Sequence, residues 1–156
     1  MKPIRNAVKC LLIENERIVI TKYLKGIKTG YYDIPGGKIE DGESAKDAAI
    51  REMEEETGIK VSDLVKRGTF EVEYPDRRFI FDIFVAKKYQ GNTQSFEENT
   101  SEWIKIDDIL KEGKVLSNIL LLKEPYNEFL YNENVEVKIK VNVDEEEHIL
   151  KIESFK

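Results

Sequence analysis

Residues 36–59 read GGKIEDGESAKDAAIREMEEETGI and predict a glycine-rich turn followed by one helix. Ser44, with Asp47 three residues later, is typical of a helix N-terminus, where each side chain caps a free backbone N–H. Gly58 is typical of the left-handed residue that ends a helix. We therefore predict a helix from Ser44 to Thr57, and interpret the chain outward from it.

One face of this helix is acidic, because at about 100° per residue Glu52, Glu55 and Glu56 lie on the same side. Carboxylates about 6 Å apart repel by about 2–3 kcal/mol per pair at an effective dielectric constant near 20. Such a face either lies in open water or binds a divalent cation, and a bare acidic run favours water. The preceding Gly-Gly turn favours the cation, because its backbone can add a carbonyl oxygen. An all-oxygen ligand set suits Mg²⁺ or Mn²⁺.

The stretch resembles the motif of the Nudix hydrolases, in which a glycine, a glutamate and an Arg-Glu helix are spaced in a fixed way. The chain fills the fixed places of that motif with Gly37, Glu43, Arg51, Glu52, Met53, Glu55, Glu56, Gly58 and Ile59. The resemblance implies an α/β fold, a Nudix-type α/β/α sandwich with a mixed central sheet and a C-terminal β-hairpin. It also implies one Nudix domain over residues 1–156 and Mg²⁺-dependent hydrolysis of a nucleoside diphosphate linked to another group.

The resemblance further implies roles for the motif residues. The ligands of Mg²⁺, which Mn²⁺ can replace, would be the Gly37 carbonyl and the carboxylates of Glu52, Glu55 and Glu56. The metal would bridge phosphate oxygens and lower the pKa of a bound water, which then attacks phosphorus. Arg51 and Glu43 would hold the turn and the helix in register.

A second acidic segment, residues 91–101, is predicted to be a loop beside the site. Members of the family place a further metal-binding or base carboxylate there, in positions that differ between subgroups. Glu98 and Glu102 are the two candidates, and we favour Glu98 slightly. A solvated acidic loop explains either residue equally well, so Glu52, Glu98 and Glu102 all stay open as the general base.

Candidate substrate contacts near the motif are Lys22, Lys38, Tyr32 and Asp33. The two lysines are candidates for the phosphates, and a solvated loop is the alternative for Lys22. Tyr32 either stacks on a base or supports the core. Asp33 lies two residues before the Pro-Gly-Gly run, at a place that reads the base edge in some purine-nucleotide members. A carboxylate there can accept hydrogen bonds from a guanine-type N–H edge, and a turn aspartate is the alternative.

Two more candidates lie farther along the chain. Asp82 interrupts an apolar face of the strand predicted at residues 78–87, and is either a substrate contact or a paired core carboxylate. Asn118 begins a predicted second large helix, Ser117–Lys123, near the mouth of the site. It either contacts substrate or caps that helix.

The other elements follow from alternation of apolar and polar residues. Residues 61–65 are predicted to be a short connection. Near the end of the chain, apolar and polar residues alternate from Val135 to Val143, and a second strand is predicted from Ile149 to Phe155. Together they predict a C-terminal hairpin. The predicted hairpin strands nearer the N-terminus are Ala7–Ile13 with Arg17–Tyr23, joined by a turn at Glu14–Asn15, and Gly68–Tyr74 with Arg78–Lys87.

Composition limits the function classes. The chain has 156 residues, of which 40% are hydrophobic and 36% charged, as in a soluble globular protein. A net charge of −6 argues against a nucleic-acid polymer or a membrane surface as partner. The lone Cys10 excludes an internal disulfide, and the presence of a single histidine, His148, argues against a histidine-based mechanism. No apolar run reaches the length of a membrane span and no signal peptide is recognised, so we expect a cytoplasmic protein.

The leading function is Mg²⁺-dependent hydrolysis of a purine (deoxy)nucleoside triphosphate, 8-oxo-dGTP-like ones included, to monophosphate and pyrophosphate. The predicted C-terminal hairpin is similar to that of the oxidised-purine nucleoside triphosphate diphosphatases. Residues 113–116 lack an acidic pair that some of those enzymes use, which leaves the base open. One alternative is an ADP-ribose-type substrate, since Pro75 follows the motif at a spacing seen in such enzymes. Another is a non-catalytic nucleotide-binding module, and a homodimer is also open.

Overall fold

A computed structural model describes residues 2–132 and 136–155 of the chain. Five strands precede the first helix, three strands follow it, and the last two strands form a hairpin. The strands are β1 (Ile4–Leu11), β2 (Ile13–Glu14), β3 (Arg17–Tyr23), β4 (Tyr32–Asp33), β5 (Gly36–Lys38), β6 (Lys60–Glu73), β7 (Arg78–Gln90), β8 (Asn99–Lys105), β9 (Val137–Val143) and β10 (Ile149–Phe155). The helices are α1 (Ala45–Thr57), α2 (Ile106–Leu110), a 3₁₀ helix (Ser117–Leu122) and α3 (Glu128–Tyr131).

The strands form two sheets. The larger one has the order β10-β9-β6-β7-β1-β5 and is mixed, because β1 runs parallel to β7 and β9 parallel to β6. In the smaller sheet, β3 pairs with β2, β4 and β8. The α/β class, the mixed central sheet and the C-terminal hairpin are therefore confirmed.

Two apolar clusters cover the two faces of the larger sheet. Helix α1 packs on one face through Ala48, Ala49 and Met53, which are fully buried against Val8 and Cys10 of β1. Small alanines let the helix come close to the strand, which brings its acidic side near β5. The other cluster joins β1, β6 and β7 to the smaller sheet and the 3₁₀ helix.

The prediction of a short connection at residues 61–65 is wrong, because β6 runs from Lys60 to Glu73 and pairs with β7 along most of its length. The register shifts between Lys66 and Gly68, so the alternation of the first half is out of phase with that of the second. The predicted pairing of Gly68–Tyr74 with the following strand, and the central position of β7, are confirmed.

The prediction of a second large helix at Ser117–Lys123 is also wrong, because the segment forms a short 3₁₀ helix that ends at Leu122. All six of its residues are buried, so the packing around it, rather than one amphipathic face, decides its shape. The first hairpin turns at Asn15–Glu16, one residue later than predicted, with both residues left-handed. Val135, the predicted start of the tail strand, lies outside the described residues.

Candidate active site

Helix α1 begins and ends where the sequence predicts. The Ser44 hydroxyl accepts a hydrogen bond from the Asp47 backbone N–H at 3.1 Å. Gly58 is left-handed, with φ of 82°, and its N–H donates to the Glu54 carbonyl at 2.9 Å. Local capping therefore sets the first and last residues of the helix that presents the acidic face.

Arg51 connects this helix to the turn before it. Its Nε and Nη2 donate to the two oxygens of Glu43 at 2.7 and 3.0 Å, and Nη2 also donates to the Lys38 carbonyl at 3.0 Å. Its Nη1 donates to Glu52 at 3.0 Å and to Glu55 at 3.1 Å. The hydrogen bonds from Arg51 are the main cause that lowers the pKa of Glu43. The positions of Arg51 and Glu43 thus fit their implied role in holding turn and helix in register.

Glu56 turns from the helix toward the glycine pair. The Gly36 N–H donates to its Oε2 at 3.0 Å. Burial raises the pKa of the Glu56 carboxyl to about 8, although the charge of Lys9 opposes that shift. The carboxylate form of Glu56 is therefore costly unless a further positive charge lies nearby.

Gly37 lies against Glu52. A Cβ on Gly37 would be 2.5 Å from the Glu52 carboxyl carbon and from its Oε1, a distance at which atoms clash. A side chain at this position would therefore push the flexible carboxyl end of Glu52 away from β5. Burial raises the pKa of Glu52 as well, with the Arg51 hydrogen bond as the main opposing cause.

The donor set at this junction fits a hard divalent cation. Glu52, Glu55, Glu56 and the Gly36–Gly37 backbone offer only oxygen acceptors, and burial makes two of the carboxylates costly to ionise without a cation. Within residues 2–132 and 136–155, no three His, Cys, Asp or Glu side chains converge closely enough to hold a metal as they stand. Glu55 instead lies exposed against Arg51, so binding would require its side chain to rotate toward Glu52.

An open cavity of about 190 Å³ adjoins the glycine pair, between the larger sheet and the 3₁₀ helix. Tyr74, Phe79 and Phe81 form its aromatic side, with the two phenylalanine rings stacked at a centroid distance of 5.6 Å. The Arg77 guanidinium lies 4.1 Å from the centre of the Tyr74 ring. The remaining lining residues are Lys9, Tyr23, Lys28, Asp33, Gly36, Gly37, Val72, Leu116, Ser117, Asn118 and Glu147.

Asp33 lines this cavity as a buried, paired carboxylate in β4, which contradicts the turn-aspartate alternative. Lys9 donates to its Oδ1 at 3.1 Å and to the Ile34 carbonyl at 2.8 Å. The Tyr23 hydroxyl donates to its Oδ2 at 2.8 Å, and burial followed by the Asp33 charge raises the pKa of Tyr23. A base edge that bound Asp33 would share oxygens that already accept these hydrogen bonds.

Asn118 also lines the cavity, and its Oδ1 is buried without a hydrogen-bond partner. The cap position of the 3₁₀ helix is occupied by Leu116, so the helix-cap alternative for Asn118 is wrong. A buried amide oxygen without a partner is unusual in a folded protein. Its position therefore fits a substrate contact.

The other predicted substrate contacts lie elsewhere. Asp82 is outside the cavity and pairs with Lys66 at 3.4 Å. The Lys22 ammonium lies 5.5 Å from the centre of the Tyr32 ring, and Tyr32 packs on the core between the sheets. Lys38 is exposed and contacts Arg51 through its carbonyl.

Glu98 and Glu102 are both exposed, and neither lines the cavity. The Glu98 carbonyl accepts a hydrogen bond from the Leu24 N–H at 2.8 Å, and Glu102 lies opposite Ile20 in the smaller sheet. Their roles as a further ligand or base stay predictions.

Several residues that line the cavity were not predicted from the sequence. Lys9 had a signal, because it is the one cation within the apolar run AVKCLLI. Tyr74 ends the strand predicted at Gly68–Tyr74, Arg77 lies in the predicted turn that follows it, and nothing local marks either as a lining residue. Glu147 lies near the far end of the chain and reaches the cavity only because β9 pairs with β6.

Comparisons with known proteins identify relatives of this chain. The chain is 31% identical over 107 residues to the 8-oxo-dGTP diphosphatase of Escherichia coli (strain K12), which covers 68% of this chain and 83% of the relative. A less similar relative is the ADP-ribose pyrophosphatase of Bacillus subtilis (strain 168), 27% identical over 106 residues, with 68% of this chain and 57% of the relative covered. The two relatives are named for different substrates, 8-oxo-dGTP and ADP-ribose.

The fold matches solved structures as well. The crystal structure of a mutator MutT protein from Bacillus halodurans superposes with a TM-score of 0.78, at 20% identity, over 96% of this chain and 97% of that one. The NUDIX domain family matches residues 3–124, which include the complete motif and the loop after β7. The chain therefore belongs to the NUDIX domain family and is a Nudix hydrolase.

Proposed function

We propose that the protein hydrolyses purine (deoxy)nucleoside triphosphates, 8-oxo-dGTP-like ones included, to the monophosphate and pyrophosphate. One observation carries the proposal: a single cavity is lined both by Gly36 and Gly37, which contact Glu56 and Glu52, and by Asn118, whose amide oxygen is buried without a hydrogen-bond partner. The 8-oxo-dGTP diphosphatase of E. coli supports the same substrate class through its similarity to this chain.

The two ends of the cavity suit the two ends of such a substrate. The glycine end adjoins the carboxylates, and a polyphosphate there would lie beside the cation that they bind. The other end has aromatic rings and polar side chains, which suit a stacked base with hydrogen bonds at its edge. Phe79 and Phe81 are the candidate stacking surface, and Asn118 and Asp33 are the candidate edge contacts.

A divalent cation, Mg²⁺ or Mn²⁺, held by the Gly37 carbonyl, Glu52, Glu55 and Glu56, would offset phosphate charge and lower the pKa of a water molecule. Arg51 orients Glu52 by a direct hydrogen bond, and Glu55, which also accepts from Arg51, would rotate toward Glu52 to reach the cation. Lys9 holds Asp33 in place from within the sheet. Glu52, Glu98 or Glu102 would accept the proton of the attacking water. Lys22 and Lys38 would contact the outer phosphates.

A substrate panel tests this proposal. The purified protein is incubated with Mg²⁺ and 8-oxo-dGTP, dGTP, dATP, dCTP or ADP-ribose, and released pyrophosphate, phosphate and monophosphate are quantified. We expect purine triphosphates to give pyrophosphate and monophosphate in equal amounts. Release of phosphate in place of pyrophosphate, or preference for dCTP, would contradict the proposal.

ADP-ribose is the second candidate. The turn that contains Pro75 leads from Tyr74 to Arg77, and both of these residues line the cavity. The similarity to the B. subtilis ADP-ribose pyrophosphatase supports this alternative, at lower identity than the E. coli enzyme. Formation of AMP and ribose phosphate from ADP-ribose, faster than turnover of any triphosphate, would favour it.

Three further predictions concern the whole molecule. The single domain over residues 1–156, the homodimer and the cytoplasmic location all stay predictions. In the part of the chain that the structure describes, no helix is long and apolar enough to cross a membrane.

A further inference from the structure

Glu147 lies in the turn between β9 and β10 and lines the cavity opposite the motif. It is outside residues 3–124, the part of the chain that matches the NUDIX domain family. The C-terminal hairpin reaches the cavity because β9 extends the larger sheet beside β6, whose end leads to Tyr74. A residue from the far end of the chain thus becomes part of the wall.

The two carboxylate oxygens of Glu147 have different surroundings. Oε1 accepts a hydrogen bond from the Tyr74 hydroxyl and lies 3.4 Å from the Lys28 ammonium. Oε2 is buried without a partner, and the side chain as a whole is only 8% exposed. A buried carboxylate oxygen without a donor is costly, so a donor from a ligand would relieve that cost.

The backbone holds Glu147 in an unfavourable conformation. Its φ is 66°, in the left-handed region that favours glycine or asparagine. Asp144 builds the turn, because its Oδ1 accepts from the N–H groups of Glu146 and His148 at 2.9 and 2.8 Å. These hydrogen bonds hold the turn in the conformation that directs Glu147 to the cavity.

Asn118 and Glu147 together define what the ligand must offer. Asn118 Oδ1 and Glu147 Oε2 are both buried without a hydrogen-bond partner, and both belong to lining residues of this cavity. Both are acceptors. The matching ligand therefore presents N–H donors, as a guanine-type edge does with its ring N–H and its neighbouring amino group. The adenine edge has an amino group beside a ring nitrogen that only accepts.

We propose that Glu147 is a specificity-determining residue, which accepts a hydrogen bond from the N–H edge of a guanine-type base. The C-terminal hairpin is then part of the substrate site. This inference rests on the proposed hydrolysis of purine nucleoside triphosphates. It adds a residue that discriminates between guanine and adenine substrates.

The test compares Glu147→Gln with Glu146→Gln. The glutamine keeps the size of Glu147 and an acceptor for Tyr74, but can turn an N–H toward the base. Glu146 lies in the same turn with a side chain 82% exposed, so its variant removes the same charge outside the cavity wall. The readout is the ratio of kcat/KM for dGTP to kcat/KM for dATP, measured with Mg²⁺. A change in charge that affects both triphosphates equally cancels in this ratio.

We expect Glu147→Gln to lower the dGTP/dATP ratio about ten- to a hundredfold, and Glu146→Gln to leave it unchanged. An unchanged ratio in Glu147→Gln, or a wild-type protein that prefers dATP, would overturn the inference while leaving the proposed hydrolysis intact.

Binding without turnover separates the two proposals if the wild type hydrolyses no triphosphate. Calorimetric titration with dGMP and dAMP then gives the guanine preference of wild type and of Glu147→Gln. A preference that the variant loses supports the role of Glu147, although the proposed hydrolysis has failed. Equal affinities for dGMP and dAMP in the wild type, or no binding of either, would overturn it.

Discussion

Gly37 approaches Glu52 so closely that a Cβ on the glycine would lie 2.5 Å from the glutamate carboxyl carbon. This contact joins β5 to α1 at the junction where the metal is proposed to bind. The absence of a side chain at Gly37 is therefore a condition for the geometry of the site, in addition to the flexibility that glycine gives a turn.

Gly37→Ala should lower Mg²⁺-dependent turnover at least tenfold, because the added methyl group must displace Glu52 or β5. We expect a loss of about 1 kcal/mol or less in the free energy of unfolding, because only the flexible carboxyl end of Glu52 has to move. Chemical denaturation and steady-state kinetics measure the two effects. Gly113→Ala is the matched control, because nothing lies within 4 Å of its added Cβ. Full activity in Gly37→Ala would contradict the close-packing argument.

Glu55→Gln separates a metal role from a structural one. Glu55 is exposed and pairs with Arg51 at 3.1 Å, so its loss should change the free energy of unfolding by no more than about 1 kcal/mol. Turnover should nevertheless fall by orders of magnitude and require more Mg²⁺ for half-maximal rate. Glu54→Gln removes the same charge from an exposed neighbour on the same helix and should leave both quantities near wild type. Equal activity of the two variants would argue against Glu55 as a ligand.

Local signals predicted the motif helix well, because its ends depend on residues close in sequence. Ser44 and Asp47 are three residues apart, and Gly58 directly follows the last helical residue. The 3₁₀ helix was mispredicted because its six residues are all buried, and its shape depends on the elements around it.

The base end of the cavity could not be predicted in the same way, because its contacts join distant segments. Lys9 and Asp33 are 24 positions apart, and Tyr74 and Glu147 are 73 apart. The first contact requires β1 of the larger sheet to lie against β4 of the smaller one, and the second requires β9 to lie beside β6. The alternation of apolar residues identifies such strands but does not say which of them are neighbours.

Asn118→Leu should reduce substrate recognition without unfolding the protein. The buried Oδ1 of Asn118 has no partner, so an apolar side chain of similar size should leave the free energy of unfolding equal or slightly higher. The kcat/KM for 8-oxo-dGTP and dGTP should fall about tenfold or more, mainly through KM. Asn92→Leu, in the exposed loop after β7, controls for a general effect of the substitution. Destabilisation without a change in KM would show that Asn118 is structural.

The free energy of unfolding should depend on pH through Glu56 when no metal is present. Burial raises its pKa in the folded protein to about 8, from 4.5. Between these two values the unfolded chain releases the proton while the folded protein retains it. The unfolded state therefore binds fewer protons, and the free energy of unfolding falls as pH rises from about 4.5 to 8, then levels off. The pKa of Glu52 is raised too and acts in the same direction.

Glu56→Gln should remove most of this dependence, because an amide does not titrate. Urea unfolding at pH values from 5 to 9 in EDTA, for wild type and variant, measures the two slopes. Mg²⁺ should raise the free energy of unfolding of the wild type more at pH 8 than at pH 5, since the cation favours the ionised carboxylate. The same addition should have a much smaller effect on Glu56→Gln. Parallel curves for the two proteins would show that Glu56 is already ionised in the folded state, and would remove the electrostatic reason for placing a cation beside it.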